Sequence, residues 1–371
     1  MQFQVRAPLH FIFFLLAVSC LGCNPSDRST APVAWTVITT PTQSATINHV
    51  ASTLPIEKSN TPTVIVQSAG TRPNIQFKSW EIVHDLAYSP DGLLLAVSAG
   101  DFVHIYDAVS LYEKVKIPVG SWTNQLSFHP FLPLIVLAVR DGTIQFRNTS
   151  TGEVVCQFTA HEKGANSISV HPDGKILATT GTDITSRLWD IASLSEGKCE
   201  VSENGKLIGR SYRSPVISFS PDGSSIALID LTDIRLRNST DRKLIALLEG
   251  ELPIFDITFS PDGQWLAAAA NQGRVALWAL SHPSNLNWSS LYAVEINPKA
   301  HFWQVAFNPD SSILAAGDSD GVVTLWSVAT FMPMKNYRLP RAVSALAFSP
   351  DGKILAAGGL DASVWLFPLT P

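Results

Sequence analysis

The segment "ISVHPDGKILATTGTDITSRLWD", Ile168 to Asp190, decides how this chain folds. It opens on an alternating run, Ile168 to Val170, which reads as a half-buried strand. Pro172-Asp173-Gly174 follows. Proline presets φ, aspartate bonds back to its own turn, and glycine takes positive φ without steric cost. "KILATTG" is a second, more uniformly apolar strand rich in small residues. "SRLWD" is a third. Three short strands joined by tight turns make a meander, and a meander of that size cannot bury its faces alone.

The same template recurs along the chain. "LAYSPDGLLLAVSAG", "LSFHPFLPLIVLAVRDG", "ISFSPDGSSIALID", "ITFSPDGQWLAAAA", "VAFNPDSSILAAGDSDG" and "LAFSPDGKILAAGG" carry it too, so the units number seven. Their template prolines are Pro90, Pro130, Pro172, Pro221, Pro261, Pro309 and Pro350, spaced 40, 42, 49, 40, 48 and 41 residues apart. Between units lie fourth β-rich runs such as "KVKIPV", "EVVCQF" and "KLIALLE". A period of ~40–45 residues with four strands per repeat predicts propeller blades. The expectation is an all-β, seven-bladed β-propeller over residues 73–371, each blade a four-stranded antiparallel sheet.

On these residues the chain resembles the WD-repeat propellers. The third unit matches best. His161, Thr179, Asp183 and Trp189 stand where that family places a structural hydrogen-bond tetrad, with the Trp-Asp pair at Trp189-Asp190. Other units depart. Unit six keeps Asp320 and Trp326; unit seven keeps Asp361 but has Phe367 for Trp; units two and four have Arg147 and Arg237 there; unit five has Gln272 for Asp. Sheet packing is therefore expected to hold most blades. The last unit is one strand short, and "RPNIQFKSW", Arg72 to Trp80, is expected to supply that strand and close the ring.

The N-terminus has a different character. "FIFFLLAVSCLGC" contains an apolar run, Phe11 to Gly22, shorter than the ~20 residues that cross a bilayer. It fits a secretory h-region. Ser19-Cys20 and Gly22-Cys23 resemble the end of a bacterial lipoprotein signal, in which the cysteine is lipidated. Cys20 fits that pattern better, with Cys23 the alternative, so residues 1–23 are expected to be a signal peptide and the mature chain a membrane-anchored lipoprotein at the cell envelope, or else periplasmic or extracellular. Residues 24–72 are rich in Ser, Thr and Pro and read as a flexible linker. Two apolar pieces within it, "VAWTVITT" and "TVIVQS", have strand character but no turn-bounded partner.

Charge and motifs exclude much. A net charge of −5 gives no basic footprint for nucleic acid. There is no phosphate-binding loop, zinc-protease helix, calcium loop or nucleophile elbow. No cofactor or metal is expected. His129 and His171 precede template prolines and read as turn residues. The Asn148 and Asn238 glycosylation-type triplets recur at one blade position and read as strand-end turns. Cys156 and Cys199 are placed on or beside the outer strands of units two and three, where neighbouring blades splay apart, so a bridge between them is not expected.

The resemblance implies a binding face. In such propellers the loops entering each first strand gather with the second-to-third-strand turns around the channel mouth. Counting six and eight residues back from the template prolines selects His84, Trp122, Asn124, Arg213, Phe255, His301 and Trp303 as partner-binding residues, with Arg140 beside them. Aromatics and arginine carry much interface energy. The implied function is a non-catalytic, monomeric interaction scaffold that binds a protein or peptide. The alternatives are an exported propeller hydrolase or lyase, which would need ionisable residues converging at the mouth, and a carbohydrate or cell-wall binder.

Overall fold

In the computed structural model, residues 36–37, 66–68, 73–207, 216–230, 232–249, 252–280, 287–289, 292–295 and 299–369 are described. They form an all-β, seven-bladed propeller. Each template gives the first three strands of a blade, and the intervening run gives the outer strand. In blade one these are Val83–Tyr88, Leu94–Ala99, Phe102–Asp107 and Glu113–Pro118, paired antiparallel in that order. Blade three repeats the pattern with Ala165–Val170, Ile176–Gly181, Ser186–Asp190 and Ser202–Leu207.

Turn chemistry sets each blade's first hairpin. In the Ser-Pro-Asp-Gly turns the serine hydroxyl donates to the aspartate, as Ser220 does to Asp222 at 2.6 Å, and the same carboxylate oxygen accepts the N–H of Ser224 at 3.0 Å. His129 and His171 replace that serine and reach further. Each ring Nε2 lies 3.0 Å from a glycine carbonyl in the next blade's turn, Gly174 and Gly223 respectively. A side chain on Gly174 would also be strained by its φ of +73°, and its Cβ would come within 2.7 Å of the His129 ring. Asn148 and Asn238 do cap turns: the Asn148 side-chain oxygen accepts the N–H groups of Ser150 and Thr151 at 2.8 and 3.0 Å, and that of Asn238 does the same for Thr240 and Asp241.

The core lies between blades, not within them. One apolar cluster joins Ala267 and Leu277 of blade five to Phe302, Leu314 and Trp326 of blade six. Seven such clusters occupy the seven blade–blade junctions, the last joining Ala345 and Val364 of blade seven to Val83 and Leu86 of blade one. The Ala-rich second strands, such as Trp265–Ala270, are small enough to be packed on both faces. This is the reason for their composition.

The ring closes with an N-terminal strand. Ile75–Gln76 pairs antiparallel with Ser363–Pro368 as the outer strand of blade seven. Asn74 accepts the Leu366 N–H at 2.8 Å through its side chain, and the Phe77 N–H donates to the Ala362 carbonyl at 2.8 Å.

Three further strands lie outside the four-strand pattern. Thr36–Val37 pairs with Tyr292–Glu295 at the edge of blade five, and Val66–Ser68 pairs with Pro333–Arg338 at the edge of blade six. Both belong to the stretch whose composition reads as linker. Sequence periodicity could not place them, because two or three residues carry no period. Asn287–Ser289, in the long blade-five insertion, pairs with Leu244–Glu249 of blade four.

Cys156 and Cys199 form a disulfide, against the expectation from splayed outer strands. Cys156 is on the outer strand of blade two, but Cys199 is not on a strand at all. The insertion after Asp190 makes a 3-10 turn, Ala192–Glu196, before the outer strand begins at Ser202. That detour brings the Cα atoms to 5.2 Å. The bridge therefore joins the rims of blades two and three.

Candidate functional site

The tetrad residues of blade three form one continuous chain of hydrogen bonds. The Trp189 indole N–H donates to Thr179 Oγ1 at 2.9 Å, and Thr179 Oγ1 lies 2.8 Å from His161 Nε2. His161 Nδ1 lies 3.0 Å from Asp183, which also accepts the Thr185 hydroxyl at 2.7 Å. Every link is satisfied if His161 is neutral, protonated on Nδ1 and accepting at Nε2. Burial pushes the His161 pKa down, against the pull of Asp183. Burial would raise Asp183, but the bonds from Thr185 and the His161 ring outweigh it and hold its pKa below the ordinary value. This arrangement anchors a loop.

The other blades solve the same position differently. In blades five and six Ala268 and Ala316 stand where blade three has Thr179, and the indole N–H groups of Trp278 and Trp326 have no hydrogen-bond partner among the described residues. Asp320 and Trp326 thus do not reproduce half a tetrad through a shared hydroxyl. Blade seven has Phe367 in the tryptophan place, yet it builds a shorter relay two residues earlier. Trp365 Nε1 donates to Ser363 Oγ at 2.8 Å, and Ser363 donates to Asp361 at 2.5 Å. In blade two Arg147 reaches the Gln145 side-chain oxygen at 2.9 and 2.7 Å.

At the channel-mouth positions the structure brings together two separate groups. On blades one and two, His84 and Trp122 have ring centroids 5.0 Å apart, and the Arg140 guanidinium lies 4.7 Å over the Trp122 ring. Trp122 remains 37% exposed. Burial, with the nearby Arg140 charge adding to it, lowers His84 to a pKa of about 4, so the ring is neutral at pH 7. Its Nε2 has no hydrogen-bond partner among the described residues. On blades five and six, Phe255 and His301 have centroids 6.4 Å apart, with Trp303 two residues further along the strand Phe302–Phe307. Asn124 is already engaged, donating to the Ala165 carbonyl at 2.7 Å. Arg213 lies outside the described residues, as do Cys20 and Cys23.

Nearer the centre, the structure shows side chains that sequence reasoning missed. Asp85, Gln125, Ser167 and Asp256 each stand five residues before a template proline, and each accepts a backbone N–H from the next blade's first strand. The donors are Leu126 to Asp85 at 2.8 Å, Ile168 to Gln125 at 2.7 Å, Ile217 to Ser167 at 3.2 Å and Val305 to Asp256 at 2.9 Å. First strands are inner edges with unpaired N–H groups, and these side chains satisfy them. Burial raises both aspartates to a pKa of about 7, and the Asp85 charge adds to the rise at Asp256. The available signal was a polar residue recurring at one template position.

Among the described residues, no group of three or more His, Cys, Asp or Glu side chains is arranged to hold a metal ion. His84 packs against Trp122 and His301 against Phe255, so each histidine has an aromatic neighbour.

Comparison with known proteins agrees with this architecture. Residues 152–190, 242–279, 294–327 and 334–367 match the WD domain, G-beta repeat family. Each match starts at or near an outer strand and ends with the third strand of the following blade, so the sequence repeat straddles two blades. The chain is 26% identical over 220 residues to the nuclear distribution protein PAC1 of Arthroderma otae, covering 51% of this chain and 47% of that protein. It is 27% identical over 199 residues to the target of rapamycin complex subunit wat1 of Schizosaccharomyces pombe, covering 52% and 61%. It is 24% identical over 170 residues to the small ribosomal subunit protein RACK1y of Oryza sativa subsp. japonica, covering 43% and 48%. The chain spans less than two thirds of the length of these relatives. Over these four repeats, and in its seven-bladed ring, the chain is similar to the WD-repeat propellers.

Proposed function

We propose that this protein is an exported, membrane-tethered interaction scaffold that grips a protein or peptide partner at the channel-mouth face and carries out no catalytic step of its own. The observation that carries the reading is Trp122, part-exposed, with the His84 ring beside it and the Arg140 guanidinium over its ring. A tryptophan fixed before the partner arrives loses little rotamer freedom on binding, which lowers the cost of association. The printed names of the relatives point the same way: one is a subunit of a target of rapamycin complex and one belongs to the small ribosomal subunit.

Export is supported by two independent features. The N-terminal apolar run ends on Cys20 and Cys23, where lipid attachment would need them. The Cys156–Cys199 bridge suits an oxidising compartment, where structural disulfides persist. The test is crosslinking and affinity capture from the native envelope with wild type, Trp122→Ala and Trp303→Ala. Loss of one specific protein from both variants, with unchanged melting, supports the reading. Unchanged capture by a folded Trp122→Ala variant overturns it, and selective binding to peptidoglycan or glycans would assign the face to carbohydrate.

A further inference from the structure

The first three described strands visit consecutive blades. Thr36–Val37 lies antiparallel on Tyr292–Glu295 of blade five, Val66–Ser68 lies parallel on Pro333–Arg338 of blade six, and Ile75–Gln76 closes blade seven. Their order along the chain matches the order of the blades. Thr36–Val37 and Val66–Ser68, with Asn287–Ser289, cover the outer edges of blades four to six.

The remaining outer edges protect themselves by other means. Glu113–Pro118 of blade one exposes Glu113, Lys114 and Lys116, and Ser202–Leu207 of blade three exposes Ser202, Glu203, Asn204 and Lys206. Charged and polar edges resist strand addition. Val154–Thr159 of blade two is tied through Cys156 to the blade-three insertion. By contrast, "LIALLE" of blade four and "YAVE" of blade five are largely apolar edges that would invite pairing, whereas "PMKNYR" of blade six carries Lys335 and Arg338 and is covered all the same.

We infer that Thr36–Val37 and Val66–Ser68 form a rim strap, and that the outer edges of blades five and six are strand-accepting surfaces whose occupant is this chain's own N-terminal segment. Strands of two and three residues would not hold as free peptides. Here they are covalently joined to a ring already closed by Ile75–Gln76, so their local concentration at the rim is high.

One consequence rests on the lipoprotein reading. If Cys20 is the anchor, residues 21–35, fifteen in number, separate it from the first paired residue. Without the strap the interval would be residues 21–74, fifty-four in number. At roughly 3.5 Å per residue these extend to at most about 50 Å and about 190 Å. The strap would thus shorten the longest possible tether from Cys20 to the ring more than threefold.

The test is amide hydrogen exchange on the full chain, wild type against the double variant Val37→Pro/Gln67→Pro, in which proline breaks pairing at both strap strands. The expected result is exchange faster by about tenfold or more across 292–295 and 333–338, with 113–118 unchanged as an uncovered reference. Equal exchange in the two proteins overturns the strap. Light scattering separates the occupants: a monomer with protected edges supports an intrachain strap, whereas a dimer that the prolines dissolve assigns the strands to a second copy and overturns it. The same exchange pattern in a Cys20→Ser/Cys23→Ser protein keeps the strap while lipidation fails, so the two readings are judged separately.

Discussion

Replacing Thr179 with valine removes one hydroxyl from the blade-three tetrad while keeping the side chain's shape. Thr179 is fully buried, and its Oγ1 serves two neighbours: it accepts from Trp189 at 2.9 Å and lies 2.8 Å from His161 Nε2. The variant strands a buried N–H and a buried ring nitrogen, at roughly 1–3 kcal/mol each. Part of this is offset because a methyl group replaces a buried hydroxyl. A net loss of about 2–4 kcal/mol follows. For a ring of roughly 300 residues the unfolding entropy is about 0.6 kcal/mol per degree, so the melting temperature should fall by roughly 3–6 °C. Blade six offers the converse. Ala316 faces a Trp326 indole with no partner, and Ala316→Ser should supply an acceptor and raise stability by about 1 kcal/mol. Scanning calorimetry at pH 7.5 reads both. The pH matters, since His161 has a lowered folded pKa. Its neutral form contributes fully above the unfolded value, about 6.5, and that contribution is lost as pH falls through the folded one. A reversible transition shifted by less than about 1 °C in Thr179→Val would refute the idea that the tetrad carries stability in this blade.

Asp256→Asn keeps an oxygen for the Val305 N–H and removes the titration. Because burial raises the folded pKa of Asp256 to about 7, its protonated form favours folding most at low pH, and that benefit disappears as pH rises through about 7. The variant should therefore melt above wild type at pH 8 and converge on it only below about pH 4; a wild-type melting temperature that is flat from pH 4 to 7 would contradict this, and Asp85→Asn should add to the effect. Converting both Cys156 and Cys199 to Ala opens a closure spanning 43 residues and should cost up to about 4 kcal/mol by the chain-entropy relation, seen as a lower urea midpoint that reductant reproduces in wild type. Insensitivity of the midpoint to reductant would show that the bridge contributes nothing. Cys20→Ser should abolish partitioning into a detergent phase; if only Cys23→Ser does so, the anchor is Cys23.

The repeating architecture was legible because it is written in local chemistry. Pro-Asp-Gly turns, the serine or histidine before them and the Ala-rich second strands each act within a dozen residues, and their spacing fixed seven blades. The missing strand of the last unit pointed correctly to Arg72–Trp80, since an alternating run before the first template had no other partner. The tetrad positions followed from family resemblance, and the hydroxyl–imidazole–carboxylate chain is where that resemblance puts it. The substitutes in other blades were not foreseeable: Trp365 turns to Ser363 because the rotamer and register allow it, and no template position marks that residue.

What sequence determined by itself is thus the strand-and-turn pattern that each blade settles internally. What only the tertiary structure decided lies between blades. Asp85 and Asp256 look like exposed polar alternation along a strand until the next blade's inner edge arrives and turns them into half-buried acceptors. Cys156 and Cys199 look too far apart until the insertion after Asp190 folds back across the rim. Thr36–Val37 and Val66–Ser68 have linker composition, and only an edge offering unpaired backbone groups makes strands of them. In each case the deciding contact joins residues about forty or more apart in the chain, a separation over which neither propensity nor turn chemistry carries information, whereas closing the ring fixes it.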